Sequence, residues 1–196
     1  MESDVVKKTV TTTSPKETRA LGYALASSLR GGDVVLLSGT LGAGKTCLVS
    51  GLAEGMRVQS PVSSPTFTLL HTHEPQDKDG LFLHHMDVYR LQDADAFLHL
   101  GFYDLITENA VLFIEWGCQV REVLPDDVVE IRLEQVSDDV EEDNCRHVTL
   151  LAPSSKANRF LKAFDVWEAC RCIAGDIDLS CSSCNVETGD SSKETP

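Results

Sequence analysis

No stretch of this chain approaches the length of apolar sequence that crosses a bilayer; the longest candidates, such as Val111-Leu112-Phe113-Ile114, have the length of a buried strand. A membrane association is not expected. Positive charge is scarce as well. Seventeen Lys and Arg stand against thirty-one Asp and Glu, a formal net charge of -14, which argues against a broad cationic surface for phosphodiester backbones. Any contact with nucleic acid is therefore expected to run through a protein partner or a local patch. The chain also lacks an even complement of cysteines: seven cannot all pair internally, and free thiols in a reducing compartment are the expectation. Cys170, Cys172, Cys181 and Cys184 nominally supply four thiolates for zinc, but the second pair lies in Ser-rich acidic sequence with no core to order it, so this is the minor reading. Met1-Glu2-Ser3-Asp4 carries acid where a presequence carries Arg or Lys. A cytoplasmic location is expected on that ground, and an organellar one would require a processed segment upstream.

What is present centres on one loop. Gly39-Thr40-Leu41-Gly42-Ala43-Gly44-Lys45-Thr46 matches G-x-x-x-x-G-K-[ST] and directly follows the apolar run Val34-Val35-Leu36-Leu37. A phosphate-binding loop sits in that place, between a core strand and a helix. Glycines permit positive φ, so consecutive N–H groups turn inward toward phosphate oxygens, and the helix that follows adds its positive end. Lys45 would neutralise β- and γ-phosphate charge, and the Thr46 hydroxyl would ligate Mg²⁺. The pattern predicts a nucleoside triphosphatase with nucleotide contacts over Gly39, Leu41, Gly42, Ala43, Gly44, Lys45, Thr46 and Cys47.

With 196 residues, 42% of them hydrophobic, the chain suits one α/β domain over residues 1–165, followed by a helix end and an acidic, Ser-rich tail over 166–196 that is expected to be disordered. Ser14-Pro15-Lys16-Glu17 reads as a helix start with Ser14 as N-cap and Glu17 reaching back, and Gly31-Gly32 as that helix's end and the turn into the first core strand. After the loop, Leu48, Leu52 and Met56 keep helical spacing, while Gly51 and Gly55 mark close packing or an early stop. Segments 66–73 and 81–89, joined by a polar turn, predict a β-hairpin. Asp93 to Leu100 predicts a helix stopped at Gly101, Phe102 to Ile106 a helical turn, and Val111 to Trp116 a buried parallel strand. Segments 128–134 and 146–152 predict a second hairpin around the acidic loop 138–143, and a last helix from about Ser155 carries Phe160, Phe164 and Trp167 on one side. The expected architecture is a P-loop NTPase-type three-layer α/β sandwich with a mixed, mainly parallel central sheet and β-hairpins.

Binding phosphate is not hydrolysing it, which needs an acid at a neighbouring strand end to hold Mg²⁺ or position water. Glu115, ending the run from Val111, and Asp87, ending Leu81 to Met86, are the two candidates for catalytic and metal-site roles. Thr66, after Ser64-Pro65, is a candidate γ-phosphate or metal sensor. Trp116 reads more readily as core than as a nucleotide or partner contact. His84 and His85 are adjacent, so on a strand they face opposite sides and cannot share one metal.

Four blocks stand in order: Gly39 to Thr46, Ser64-Pro65-Thr66-Phe67-Thr68, His85-Met86-Asp87-Val88-Tyr89-Arg90-Leu91, and Glu115-Trp116, followed by Leu124-Pro125-Asp126. Together they resemble the TsaE family, from about Thr9 to Ala152. The resemblance implies a small ATPase of tRNA threonylcarbamoyladenosine synthesis, with ATP and Mg²⁺ as ligands and TsaD- and TsaB-type proteins as partners. Contact with tRNA would be indirect, through that complex. It also implies the loop lysine at Lys45, the metal-binding hydroxyl at Thr46, the switch-like threonine at Thr66, the acid of H-x-D-x-Y-R at Asp87 and the metal-site glutamate at Glu115. In that family the start of the first helix lies near the base, which makes Ser14 to Thr18 candidate adenine contacts and Arg146 a further one.

This chain departs from the family pattern at three places. Thr40 stands where the loop usually carries an acid, Cys47 where it usually carries a second hydroxyl, and the extension after about Asp165 has no role in the resemblance. Two other readings stay open on the residues alone: a small-molecule kinase on the same scaffold, and a non-hydrolysing, nucleotide-dependent interaction module. A kinase of that type needs clustered lid arginines, whereas Arg57, Arg90, Arg121 and Arg132 are scattered in sequence.

Overall fold

Every residue of Val34–Ser38 and of Ala110–Glu115 is buried, so these strands must be covered on both faces. The computed structural model, which describes residues 4–65, 67–91, 94–136 and 144–174, covers them with two apolar layers. Its elements are β1 (Val5–Thr12), α1 (Pro15–Leu25), β2 (Val34–Ser38), α2 (Lys45–Gly55), β3 (Leu70–His73), β4 (Phe82–Asp87), α3 (Ala94–Leu98), β5 (Ala110–Glu115), β6 (Val129–Gln135), β7 (Arg146–Pro153) and α4 (Ser154–Ala174). The seven strands form one sheet in the order β1-β7-β6-β2-β5-β4-β3. The inner four, β6-β2-β5-β4, are mutually parallel, and the outer pairings β1 with β7, β6 with β7 and β3 with β4 are antiparallel. This is the mixed three-layer α/β architecture with hairpins that the sequence predicts.

Strand alternation divides the core. Val35, Leu37, Val111, Phe113, Ile131 and Leu133 pack under α1, α2 and α4 with Leu21, Leu48, Leu52, Phe160, Phe164 and Trp167. Val34, Leu36, Leu112 and Ile114 point the other way, against Phe97, Phe102, Val120 and Leu124. Full burial of each such side chain contributes about 1.5–3 kcal/mol. Helices α1 and α2 touch backbone to backbone: a Cβ on Gly51 would lie 1.8 Å from the Arg19 carbonyl oxygen. That contact explains the glycine inside α2 as close packing rather than an early stop.

Some elements differ from expectation. Helix α1 ends at Leu25 and passes through a 3₁₀ turn over Ala26–Ser28, closed by Ser28 Oγ donating to the Leu25 carbonyl at 2.6 Å. Gly31-Gly32 therefore turns the chain into β2 as expected but does not itself end the helix, with Gly32 at φ 84°. Ser14 accepts from the Glu17 N–H at 3.2 Å as predicted, but the Glu17 carboxylate accepts from Thr13 N–H at 2.7 Å, one residue before the usual capping box. The first hairpin strand begins only at Leu70, because Thr68 and Leu69 both donate to the Pro65 carbonyl and Leu69 turns left-handed at φ 65°. Strand β1 has no counterpart in the sequence reading.

Helix α4 crosses residue 165 without a break, and Trp167 is buried in the core. Arg159 clamps the buried Asp33 with two bonds of 2.6 Å, and Arg171 donates to the Thr11 carbonyl at 2.6 Å and pairs with Glu17 at 3.1 Å. The acidic loop 138–143 and the tail after 174, with Cys181 and Cys184, lie outside the described residues. Among the described residues, no helix is long and apolar enough to cross a membrane.

Candidate functional site

Parallel strands bring their carboxyl ends to one edge, where a ligand crevice forms in sheets of this kind. Here β2, β5 and β4 end together: Leu37 is level with Glu115, and Glu115 with Asp87. The loop leaves β2 at that edge and enters α2 through Gly44, whose φ of 101° makes it a left-handed N-cap that no side chain caps. A cleft of about 760 Å³, lined in part by Gly39, Thr40, Trp116 and Leu133, opens beside the start of the loop.

Lys45 is only 5% exposed. Its Nζ donates to the carbonyls of Gly39 and Thr40, both at 2.9 Å, and lies 4.2 Å from the centroid of the Trp116 ring. Burial pulls its pKa below the usual lysine value, and the nearby Glu115 and Asp87 charges oppose that pull. A buried ammonium in a wound, glycine-rich loop is the arrangement that an anionic ligand compensates.

Thr46, in the first turn of α2, donates its hydroxyl to Glu115 Oε1 at 3.0 Å. Glu115 is 3% exposed, and the same oxygen lies 2.9 Å from His85 Nε2. Asp87, equally buried, accepts from the Tyr89 N–H at 2.9 Å. Thr46, Glu115 and Asp87 offer hard oxygen donors, the chemistry that suits Mg²⁺. Among the described residues no cluster of three or more His, Cys, Asp or Glu stands ready to hold a metal by itself.

The other predicted residues surround this centre. Leu41 stands at the loop tip, 88% exposed, while Ala43 is fully buried. Cys47 points its thiol at the Pro15 carbonyl, 3.2 Å away, which ties α2 to the start of α1, and burial raises its pKa. Thr18 is buried, with Oγ1 2.8 Å from Thr12 Oγ1, and its methyl would lie 3.8 Å from a Cβ on Gly44. Ser14 is occupied as the cap of α1. Arg146 lies against the loop itself, donating to the Ala43 carbonyl at 3.1 Å and to that of Gly42 at 3.3 Å. Thr66 lies outside the described residues; Phe67, next to it, is 87% exposed with the Arg90 guanidinium over its ring.

Two side chains gain importance over the sequence reading. Trp116 is half-buried and left-handed at φ 63°, and it packs on Tyr89 at 5.0 Å between centroids as well as under Lys45. Its position next to Glu115 was the available signal. His84 and His85 do face opposite ways, and the same alternation aims His85 at Glu115.

Comparisons with known proteins bear on the family and the fold. The family described as "Threonylcarbamoyl adenosine biosynthesis protein TsaE" matches residues 12–144. A tRNA threonylcarbamoyladenosine biosynthesis protein TsaE of Mycobacterium bovis is 44% identical over 134 residues, 66% of this chain and 80% of that protein. The protein of the same name from Bacillus subtilis is 37% identical over 132 residues, 67% of this chain and 80% of its own length. The crystal structure of Bacillus subtilis YdiB superposes with a TM-score of 0.60 at 30% identity, covering 85% of this chain and 97% of that one. With its glycine-rich loop between a core strand and a helix and a match spanning most of its length, this chain belongs to the TsaE family of threonylcarbamoyl adenosine biosynthesis proteins.

Proposed function

We propose that this protein binds Mg²⁺-ATP on the loop Gly39 to Thr46 and hydrolyses it to support turnover of a TsaD–TsaB-type complex in tRNA threonylcarbamoyladenosine formation. One observation carries the reading: Thr46 of the loop meets Glu115 of the neighbouring parallel strand at 3.0 Å, beside a lysine buried among loop carbonyls. Lys45 would pair with the phosphates. Thr46, with Glu115 and Asp87, would hold Mg²⁺, whose charge offsets that developing on the phosphate oxygens. Because Thr46 donates its proton to Glu115, its oxygen keeps lone pairs for the ion, while Asp87 or Glu115 orients the attacking water. Thr66 would report the γ-phosphate, and Ser14 to Thr18 would border the base.

The net charge of -14 supports indirect contact with tRNA. A kinase reading gains nothing from the arginines: Arg57 pairs with Asp77, Arg132 with Glu130, Arg121 with the Pro125 carbonyl, and Arg90 covers Phe67. The test is ATP turnover by the purified protein, alone and with TsaD–TsaB, for wild type, Lys45→Ala and Glu115→Ala. Stimulation by the complex that both substitutions abolish is the expected result. Phosphate transferred to a metabolite, or binding without turnover, would replace this reading with a kinase or an interaction module.

A further inference from the structure

His85 is fully buried, yet the chemistry proposed above leaves it without a task. Its surroundings are specific. On β4 the residues Leu83, His85 and Asp87 point to the helix-bearing face, level with Val111, Phe113 and Glu115 of β5, so the ring stands one step behind the carboxylate at the sheet edge. Glu115 Oε1 receives two hydrogen bonds from two different elements: Thr46 Oγ1 of α2 at 3.0 Å and His85 Nε2 of β4 at 2.9 Å. An ionised carboxylate only accepts, so Nε2 carries the hydrogen. Behind His85, strand β3 places His73 on the same face. His73 Nδ1 lies 2.8 Å from Ser60 Oγ, while His73 Nε2 and His85 Nδ1 are both buried without a hydrogen-bond partner among the described residues. A buried imidazole with a single polar contact, made to the carboxylate that meets the loop hydroxyl, is a costly way to fill a core and an effective way to orient an acid.

We propose that His85 is the positioning residue for Glu115: by donating from Nε2 it holds Oε1 where that oxygen accepts the Thr46 proton, which leaves the Thr46 oxygen turned to a divalent cation. This rests on the Mg²⁺-nucleotide reading of the site. Outer-sphere partners of a metal centre typically change metal affinity by about 10–100-fold when removed. A residue that merely filled space would be replaceable by an apolar ring, whereas a positioning donor would be replaceable only by another donor.

The experiment measures the affinity of the full chain for ATP by calorimetry, in Mg²⁺ and in EDTA, for wild type, His85→Phe and His85→Gln. Wild type is expected to bind more tightly in Mg²⁺. His85→Phe is expected to keep the EDTA affinity and lose at least about tenfold of the Mg²⁺ gain, and His85→Gln, whose side-chain amide offers a donor at similar reach, to recover most of it. A Phe variant with the wild-type gain, or a Gln variant no better than Phe, overturns the proposal. A wild type with no Mg²⁺ gain sinks the metal reading and this inference with it. Should His85→Phe fail to fold, the ring ¹⁵N spectrum of the wild type carries the test. Nε2 of His85 must bear hydrogen, and its signal must move in Glu115→Ala; an unprotonated Nε2 or an unmoved signal overturns the proposal.

Discussion

Lys45 Nζ lies 4.2 Å from the centre of the Trp116 ring while it donates to the carbonyls of Gly39 and Thr40. The loop cation is thus held by a π face and carbonyl oxygens, and burial disfavours its charge. Lys45→Met is accordingly expected to raise the urea midpoint of the ligand-free protein while cutting nucleotide affinity by at least about tenfold, the loss of a charge-assisted contact. Unfolding curves and calorimetry on the same preparation check both halves, and a less stable Met variant would contradict the first.

Thr46 should divide into two measurable parts. Thr46→Ser keeps the hydroxyl that meets Glu115, and Thr46→Val keeps the shape without it. The Ser variant is expected to retain Mg²⁺-dependent ATP binding, and the Val variant to lose about 10–100-fold of it with the Mg²⁺-free affinity little changed. Calorimetry in Mg²⁺ and in EDTA reads both.

Gly51→Ala tests the seam between α1 and α2. The added methyl meets the Arg19 carbonyl at 1.8 Å, a contact with main chain that no rotamer relieves. A loss of about 1–3 kcal/mol in unfolding free energy is expected, the usual cost of overpacking. Thermal and urea unfolding measure it, and an unchanged midpoint would mean that the helices separate freely.

Stability should fall in mild acid. Burial first, then the neighbouring His85 and His71, press the His73 pKa below its ordinary 6.5. The unfolded chain therefore takes up a proton that the folded one resists. The contribution is fully present above pH 6.5 and is lost as pH falls from there toward the folded value. Burial lowers His84 in the same direction. Urea midpoints should drop between pH 7.5 and pH 5.5, and His73→Gln should flatten that slope; an unaltered slope would assign the acid sensitivity to other groups.

Much of this arrangement was legible from local chemistry. The loop, the strand before it, the Ser14 cap and both acids at strand ends follow from short patterns whose physics acts within a few residues. Strand β1 was not legible. Its inward positions are Val6, Lys8, Val10 and Thr12, and Lys8 breaks the apolar alternation; it is accommodated because Asp165 and Glu168 of α4 reach it at 2.5 and 2.6 Å. The truncated start of β3 was equally hidden, since a left-handed Leu69 carries no glycine to announce it.

His85 shows where the two kinds of information part. Strand periodicity alone says that His84 and His85 face opposite ways, and it says nothing about what either one meets. The chain by itself determined which groups the proposed phosphate site would use, because glycine backbone freedom, a lysine charge and a hydroxyl are properties of residues in sequence. Only the tertiary structure decided which carboxylate meets that hydroxyl and which imidazole stands behind it. Those contacts depend on the register of β4 against β5 and on the start of α2 meeting the end of β5, and register is set by packing between segments far apart in the chain.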